Sequence, residues 1–187
     1  KTVRRQRQMC IRDRSSAATD PATHAAYVRR YVALALSTRS RSQKLDDAIQ
    51  LLGKLASTSQ SPASRIMFHV LAAQHHEQNG DVDNAADELL KGMTIGTDYF
   101  KSIKNAEPTD SDFEARTAID KLQTEVVGLL GRDSRLGGMI LDSNAIALEH
   151  FPTIEESLHY FDEIPSLQNN PNACLLYTSP SPRDLWI

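Results

Sequence analysis

The chain has 187 residues and a formal net charge of −3, and 40% of its residues are hydrophobic. This length is enough for one ordinary domain with its own core. No apolar run approaches the ~18 residues of a membrane-spanning helix, so no membrane span is predicted.

Both ends of the chain have a distinctive sequence. Residues 4–13 read RRQRQMCIRD, and residues 174–184 read CLLYTSPSPRD. Each resembles the translation of a transposon-type sequencing adapter, in the orientation expected for its end. We therefore expect residues 1–14 and 174–187 to be adapter read-through, which takes no part in the fold and leaves the chain a fragment without its natural termini. The alternative is a genuine basic arm and a genuine Ser-Pro tail.

The interior, residues 15–173, is acidic and unevenly charged. The two ends hold seven of the 21 Lys/Arg and two of the 24 Asp/Glu, which leaves 14 and 22 in the interior and a net charge of −8. Residues 15–79 carry a net +3 and residues 80–173 a net −11. Nucleic-acid binding requires phosphate neutralisation, so the acidic second half argues against a general nucleic-acid-binding protein. Both cysteines lie in the ends, so the interior has no disulfide framework and is compatible with a reducing compartment such as the cytoplasm.

Apolar residues recur at helical spacing almost throughout, which predicts an all-α fold. The first helix is predicted over residues 22–37 and the second over residues 43–56, with a Ser-Arg-rich loop between them. Ser61 followed by Pro62 predicts the start of a third helix, because serine caps helices and proline is favoured at the first helical position.

Glycines and caps mark the later helices. Gly80 is predicted to stop the third helix, Asp81 to cap the fourth and Gly96 to end it, before a short helix over residues 99–104. Glu107-Pro108 breaks the chain.

Two capping-box pairs are predicted to open helices in the last third of the chain. Ser111 with Glu114 would open a long helix that ends near Gly131, and Thr153 with Glu156 would open the last one. Between them we expect a turn-rich link over residues 132–138 and a helix over residues 144–150.

Residues 66–97 carry a recurring pattern of small and large residues. Ala73, Ala85 and Gly92 are small where two helices would pack closely, Leu89 is large, and Gly80-Asp81 forms the turn. This pattern resembles a tetratricopeptide repeat, although His69, Ala72 and Thr97 depart from the family's usual residues.

A second copy of the pattern lies upstream. The segment from Leu45 to Leu52 parallels the segment from Val82 to Leu89, with Ala48 and Ala85 37 residues apart. This spacing is the family's period of about 34 residues plus a short insertion. The resemblance, over about residues 22–97, implies a tetratricopeptide-like α-solenoid of antiparallel helical hairpins. We therefore predict helical repeats over residues 15–105 and an acidic helical extension over residues 106–173.

In the tetratricopeptide family, the first helices of each pair line a concave groove that binds a peptide or protein partner. The resemblance places the following residues in that groove: Tyr27, Arg30, Leu34, Met67, Val70, Gln74 and Glu77. The alternative is that Leu34, Met67 and Val70 pack in the core.

The residues that could carry chemistry do not converge on an active site. His69, His75, His76 and Glu77 lie on one helix, but they lack the i, i+4 spacing with a third ligand that zinc sites usually have. Glu156 and His159 have the Glu-x-x-His spacing of di-iron bundles, and no second copy of that motif is present in the sequence. We therefore predict no catalytic residue, no cofactor and no metal site.

The sequence favours a protein–protein interaction scaffold that binds a peptide or protein through the solenoid groove, not an enzyme. One alternative is a helical-repeat scaffold associated with RNA or ribonucleoprotein through the basic first half, which includes the basic cluster Arg29, Arg30, Arg39, Arg41 and Lys44. The other is an accessory fragment of a larger enzyme or regulator. The oligomeric state stays open.

Overall fold

The computed structural model describes residues 21–39, 42–103 and 110–163, and within them it leaves out the side chains of residues 21, 22, 110, 111 and 161–163. The predicted adapter-derived ends, the Glu107-Pro108 break, the boundary predicted between residues 105 and 106, and Arg41 lie outside these residues.

The described residues form seven α-helices and one short 3₁₀ helix, with no strand among them. The all-α prediction is therefore confirmed. In chain order the helices are α1 (Pro21–Ser37), α2 (Gln43–Thr58), α3 (Pro62–Gln78), α4 (Val82–Ile103), α5 (Asp110–Leu130), α6 (Arg135–Leu141), the 3₁₀ helix (Leu148–His150) and α7 (Pro152–Glu163).

The local signals at both ends of α3 act as predicted. The Ser61 side chain accepts a hydrogen bond from the backbone N–H of Ser64, and Pro62 is the first helical residue. Gly80 has φ +80, the left-handed conformation that glycine adopts without steric cost. The Asp81 carboxylate accepts the N–H of Asn84 and so caps α4.

The prediction that Gly96 ends the fourth helix is wrong. Helix α4 runs without interruption from Val82 to Ile103 and includes the segment predicted as a separate short helix. Gly96 is buried and faces the ring of Phe151, which is fully buried. The missing side chain therefore makes room for a neighbour, and burial of that neighbour offsets the weak helix propensity of glycine.

The predicted turn-rich link over residues 132–138 is confirmed for residues 132–134 and is wrong for residues 135–138. Arg135–Leu141 forms helix α6, because Leu136 and Ile140, four residues apart, both enter the core at 1% exposure. Only the last three residues of the helix predicted over 144–150 are helical, as the 3₁₀ turn.

The predicted capping box does not open α7, and the Ser111 side chain needed for the box predicted at α5 lies outside the described residues. These helices begin one residue earlier, at Asp110 and Pro152, so Ser111 and Thr153 lie inside them. The backbone N–H of Thr153 donates instead to Oε1 of Gln123 on α5, at 3.1 Å. A side chain distant in sequence therefore accepts a hydrogen bond from one of the backbone N–H groups that have no partner within α7.

Helix α3 lies at the centre and packs against α1, α2, α4 and α5. A smaller core joins α1 and α2 to Leu71 of α3. A larger core joins the rest of α3 to α4, α5, α6 and α7. Helix α3 contributes residues to both cores. Little of that helix therefore faces solvent.

Candidate partner-binding surface

One face of α1 is exposed and partly apolar. Tyr27, Tyr31 and Leu34 keep 51%, 45% and 64% of their surface exposed. Their spacings of four and three residues place them side by side on the helix. We call these three residues the α1 seam. Arg30, also exposed, lies between Tyr27 and Leu34 on the border of the seam.

The opposite face of α1 holds the helix in place. Val32, Ala35 and Leu36 are buried against α2 and α3, and the carbonyl oxygen of Leu36 accepts a hydrogen bond from Nε2 of Gln78. This burial fixes the rotation of α1 about its axis. The α1 seam is therefore presented to solvent by a helix that is anchored on its other side.

The charged side chains of helix α1 itself are positive. Helix α1 contains no acidic residue, and it carries Arg29 and Arg30. Arg39 is exposed just beyond the end of the helix, with φ +50. Among the described residues, neither Arg30 nor Arg39 forms an ion pair.

The apolar residues predicted on the α3 side of the groove pack in the interior. Val70 is 2% exposed and belongs to the larger core, and the half-buried Met67 packs against that core. The groove prediction is therefore corrected for Met67 and Val70. Helix α5 packs on α3 and covers the face of α3 that was predicted to line the groove.

The polar residues on the same side of α3 bind α5 and the turn after it. Nε2 of Gln74 donates to Oε1 of Glu125 at 2.6 Å. Nη2 of Arg132 donates to both carboxylate oxygens of Glu77, each at 3.0 Å. Burial raises the pKa of Glu77, and Arg132 partly offsets that rise. Both side chains thus bind within the fold, and of the seven predicted groove residues the structure presents Tyr27, Arg30 and Leu34 together on an open face.

The three histidines of α3 contact three different elements. The pairs are His69 with Glu88 at 2.8 Å, His75 with Asp46 at 2.9 Å, and His76 with Asp81 at 3.5 Å. They belong to α4, α2 and the turn before α4, so the imidazoles do not converge. Within the described part of the chain, no group of three or more His, Cys, Asp or Glu side chains is arranged to hold a metal ion.

Glu88 is the most strongly perturbed of these carboxylates. A hydrogen bond from His69 is the main cause that lowers its pKa to about 2, and the ammonium of Lys91, 2.6 Å away, adds to the effect. Burial acts in the opposite direction and is outweighed. Glu88 is therefore an ionised link between α3 and α4.

A shallow groove of about 450 Å³ lies between α2, α3 and α4. Phe68, Ala72, Lys54 and Glu88 are among the residues that line it. Gly53 opens it, since a Cβ there would lie 3.0 Å from the ring carbon Cζ of Phe68. The sequence analysis did not predict this groove. Gly53 in the interior of α2 is a sequence signal that could have indicated it.

The remaining sequence candidates are dispersed over the surface. Glu156 and His159 are exposed on α7. In the basic cluster Arg29 is half-buried, whereas Lys44 is exposed at the start of α2.

No protein-family model matches the chain, and the comparisons with curated proteins and with solved structures give no significant match. Among the described residues, no helix is both long and apolar enough to cross a membrane.

Proposed function

We propose that this chain is a protein–protein recognition scaffold built from tetratricopeptide-like hairpins, and that its partner binds the α1 seam. The order of packing supports such a scaffold. Helices α1 and α2 form one hairpin, α3 and α4 form the next, and α3 also packs on α1 and α5, the first helices of the neighbouring units. Repeats that contact their sequence neighbours in this way are typical of solenoids.

The exposed α1 seam is the single observation that carries the proposal. Scattered apolar residues are normal on a protein surface, whereas Tyr27, Tyr31 and Leu34 form one continuous stripe. Tyrosine is enriched in interfaces because its ring packs against apolar groups while its hydroxyl stays hydrated. The seam thus has the composition of a contact surface and a rigid helix to present it.

Selection of a displayed library of helical peptides on the immobilised full chain tests the proposal. We expect selected peptides to bind, and Leu34→Ser to weaken their binding by about tenfold or more, as loss of an apolar anchor in an interface does. Leu141→Ser is the matched control, since Leu141 is 56% exposed on α6, far along the chain from the seam. Failure to enrich any peptide, or equal losses in both variants, would reject the α1 seam as the binding surface.

A further inference from the structure

The geometry and charge of the α1 seam also indicate the class of partner. We propose that the seam binds an acidic amphipathic helix, whose apolar side chains pack on Tyr27, Tyr31 and Leu34 and whose carboxylates pair with Arg30. This inference rests on the proposed function and deepens it.

The shape of the seam favours a helix over an extended peptide. Tyr27 and Leu34 lie seven residues apart, which is two turns or about 10 Å along α1. Their spacing with Tyr31 is the i, i+4, i+7 pattern by which helices pack side by side. One common way to bind an extended peptide, addition of a strand to a sheet edge, is not available here, because the described residues contain no strand.

Small residues beside the seam leave space for a second helix. Ala26 and Ala33 are exposed on α1 next to Arg30. Methyl side chains there let a partner backbone approach more closely than long side chains would. A partner helix would therefore contact the seam with one edge and lie over Arg30 with the other.

The sign of the charge selects an acidic partner. Helix α1 carries no carboxylate of its own, and Arg30 forms no ion pair with the described residues. Although the chain as a whole has a net charge of −3, salt screens charges that lie beyond ~8–10 Å. A partner on the seam therefore interacts mainly with charges within that range, and Arg30 lies on the helix that carries the seam.

Two synthetic helical peptides test this inference against the full chain by fluorescence anisotropy. Both carry leucines at i, i+4 and i+7, and the flanking positions are glutamates in one and lysines in the other. We expect the glutamate peptide to bind at least about tenfold more tightly, and its binding to weaken as salt is raised, because like charges are penalised across an interface. Arg30→Glu should reverse the preference, and Lys121→Glu, the same charge change at an exposed position on α5, should not.

The outcomes separate this inference from the proposed function. If library-selected peptides bind the seam but the glutamate and lysine peptides bind equally, the acidic partner is rejected and the recognition scaffold stands. If Leu34→Ser changes no binding at all, both proposals fail. A concentration-dependent dimer in sedimentation that Leu34→Ser dissociates would show that a second copy of the chain occupies the seam, which overturns the acidic-helix assignment. RNA that competes with the glutamate peptide in an Arg30-dependent manner would overturn it as well.

Discussion

Phe151 packs its ring directly on the backbone of Gly96. A Cβ at position 96 would lie 3.0 Å from Cζ of that ring, which is itself 0% exposed. This relationship lets the segment before α7 close over α4. It also explains why a glycine is accommodated in the middle of a 22-residue helix.

Gly96→Ala is therefore expected to destabilise the protein. The added methyl group overpacks a closed core and should lower the free energy of unfolding by about 1–3 kcal/mol, less the gain in helix propensity. Gly138→Ala is the control, because a Cβ added at Gly138 in α6 would have no atom within 4 Å. It should raise stability by roughly 0.5–1 kcal/mol. Urea unfolding of both variants measures the difference, and equal effects would contradict the close packing at Gly96.

Truncation of Val70 should lower the stability of the protein, whereas truncation of Leu34 should leave it almost unchanged. Val70→Ala removes buried methyl groups from the larger core and should cost about 2 kcal/mol of stability. Leu34→Ala alters an exposed side chain and should stay within about 0.5 kcal/mol of the parent. Thermal unfolding followed by circular dichroism distinguishes the two. If Val70→Ala were as stable as the parent protein, the prediction that Val70 lines a groove on α3 would have to be considered again.

The turn at Gly80 gives a test of backbone conformation alone. Its φ of +80 disfavours any residue with a Cβ, yet no atom stands near enough to clash. Gly80→Ala should therefore cost about 1 kcal/mol. Gly80→Asn should cost less, since asparagine tolerates the left-handed region. Chemical denaturation measures the stability of both variants. Equal losses of stability in Gly80→Ala and Gly80→Asn would show that the turn relaxes to another conformation.

Glu88 should make stability fall in acid. Its folded-state pKa of about 2 lies below the ordinary value of 4.5, so the folded protein favours the ionised form. The resulting stabilisation is fully present above pH 4.5 and is lost as pH falls towards 2, with an upper bound of about 3 kcal/mol.

Glu88→Gln should remove this part of the acid dependence. Urea unfolding from neutral pH down to about 3 measures it, and the loss of stability should be smaller in the variant than in the parent. Asp87→Asn, the exposed neighbour on α4, is the matched control. Parallel pH curves for the parent and Glu88→Gln would show that the contact with His69 does not stabilise the folded state.

Much of the first half of the fold could be predicted because its signals are local. The helical spacing of apolar residues, the Ser61-Pro62 start and the turn at Gly80 act through neighbours a few residues away. The three groove residues predicted on α1 from the resemblance to a repeat, Tyr27, Arg30 and Leu34, are exposed in the structure. Helical spacing places Tyr31 on the same face as Tyr27 and Leu34, although the resemblance did not include it in the groove.

The sequence by itself determined the helical class and the ends of α3, since hydrogen bonds and backbone angles within one turn decide those features. Tertiary structure alone decided what each helix face contacts. Gly96 carries the same local signal for a helix end as any glycine, and the burial of Phe151 overrides it. The helical spacing of Val70 fits a position in a groove and a position in a core equally well. The packing of α5 on α3 places Val70 in the larger core. Periodicity gives the side of a helix on which a residue lies, whereas the partner on that side depends on residues far away in the chain.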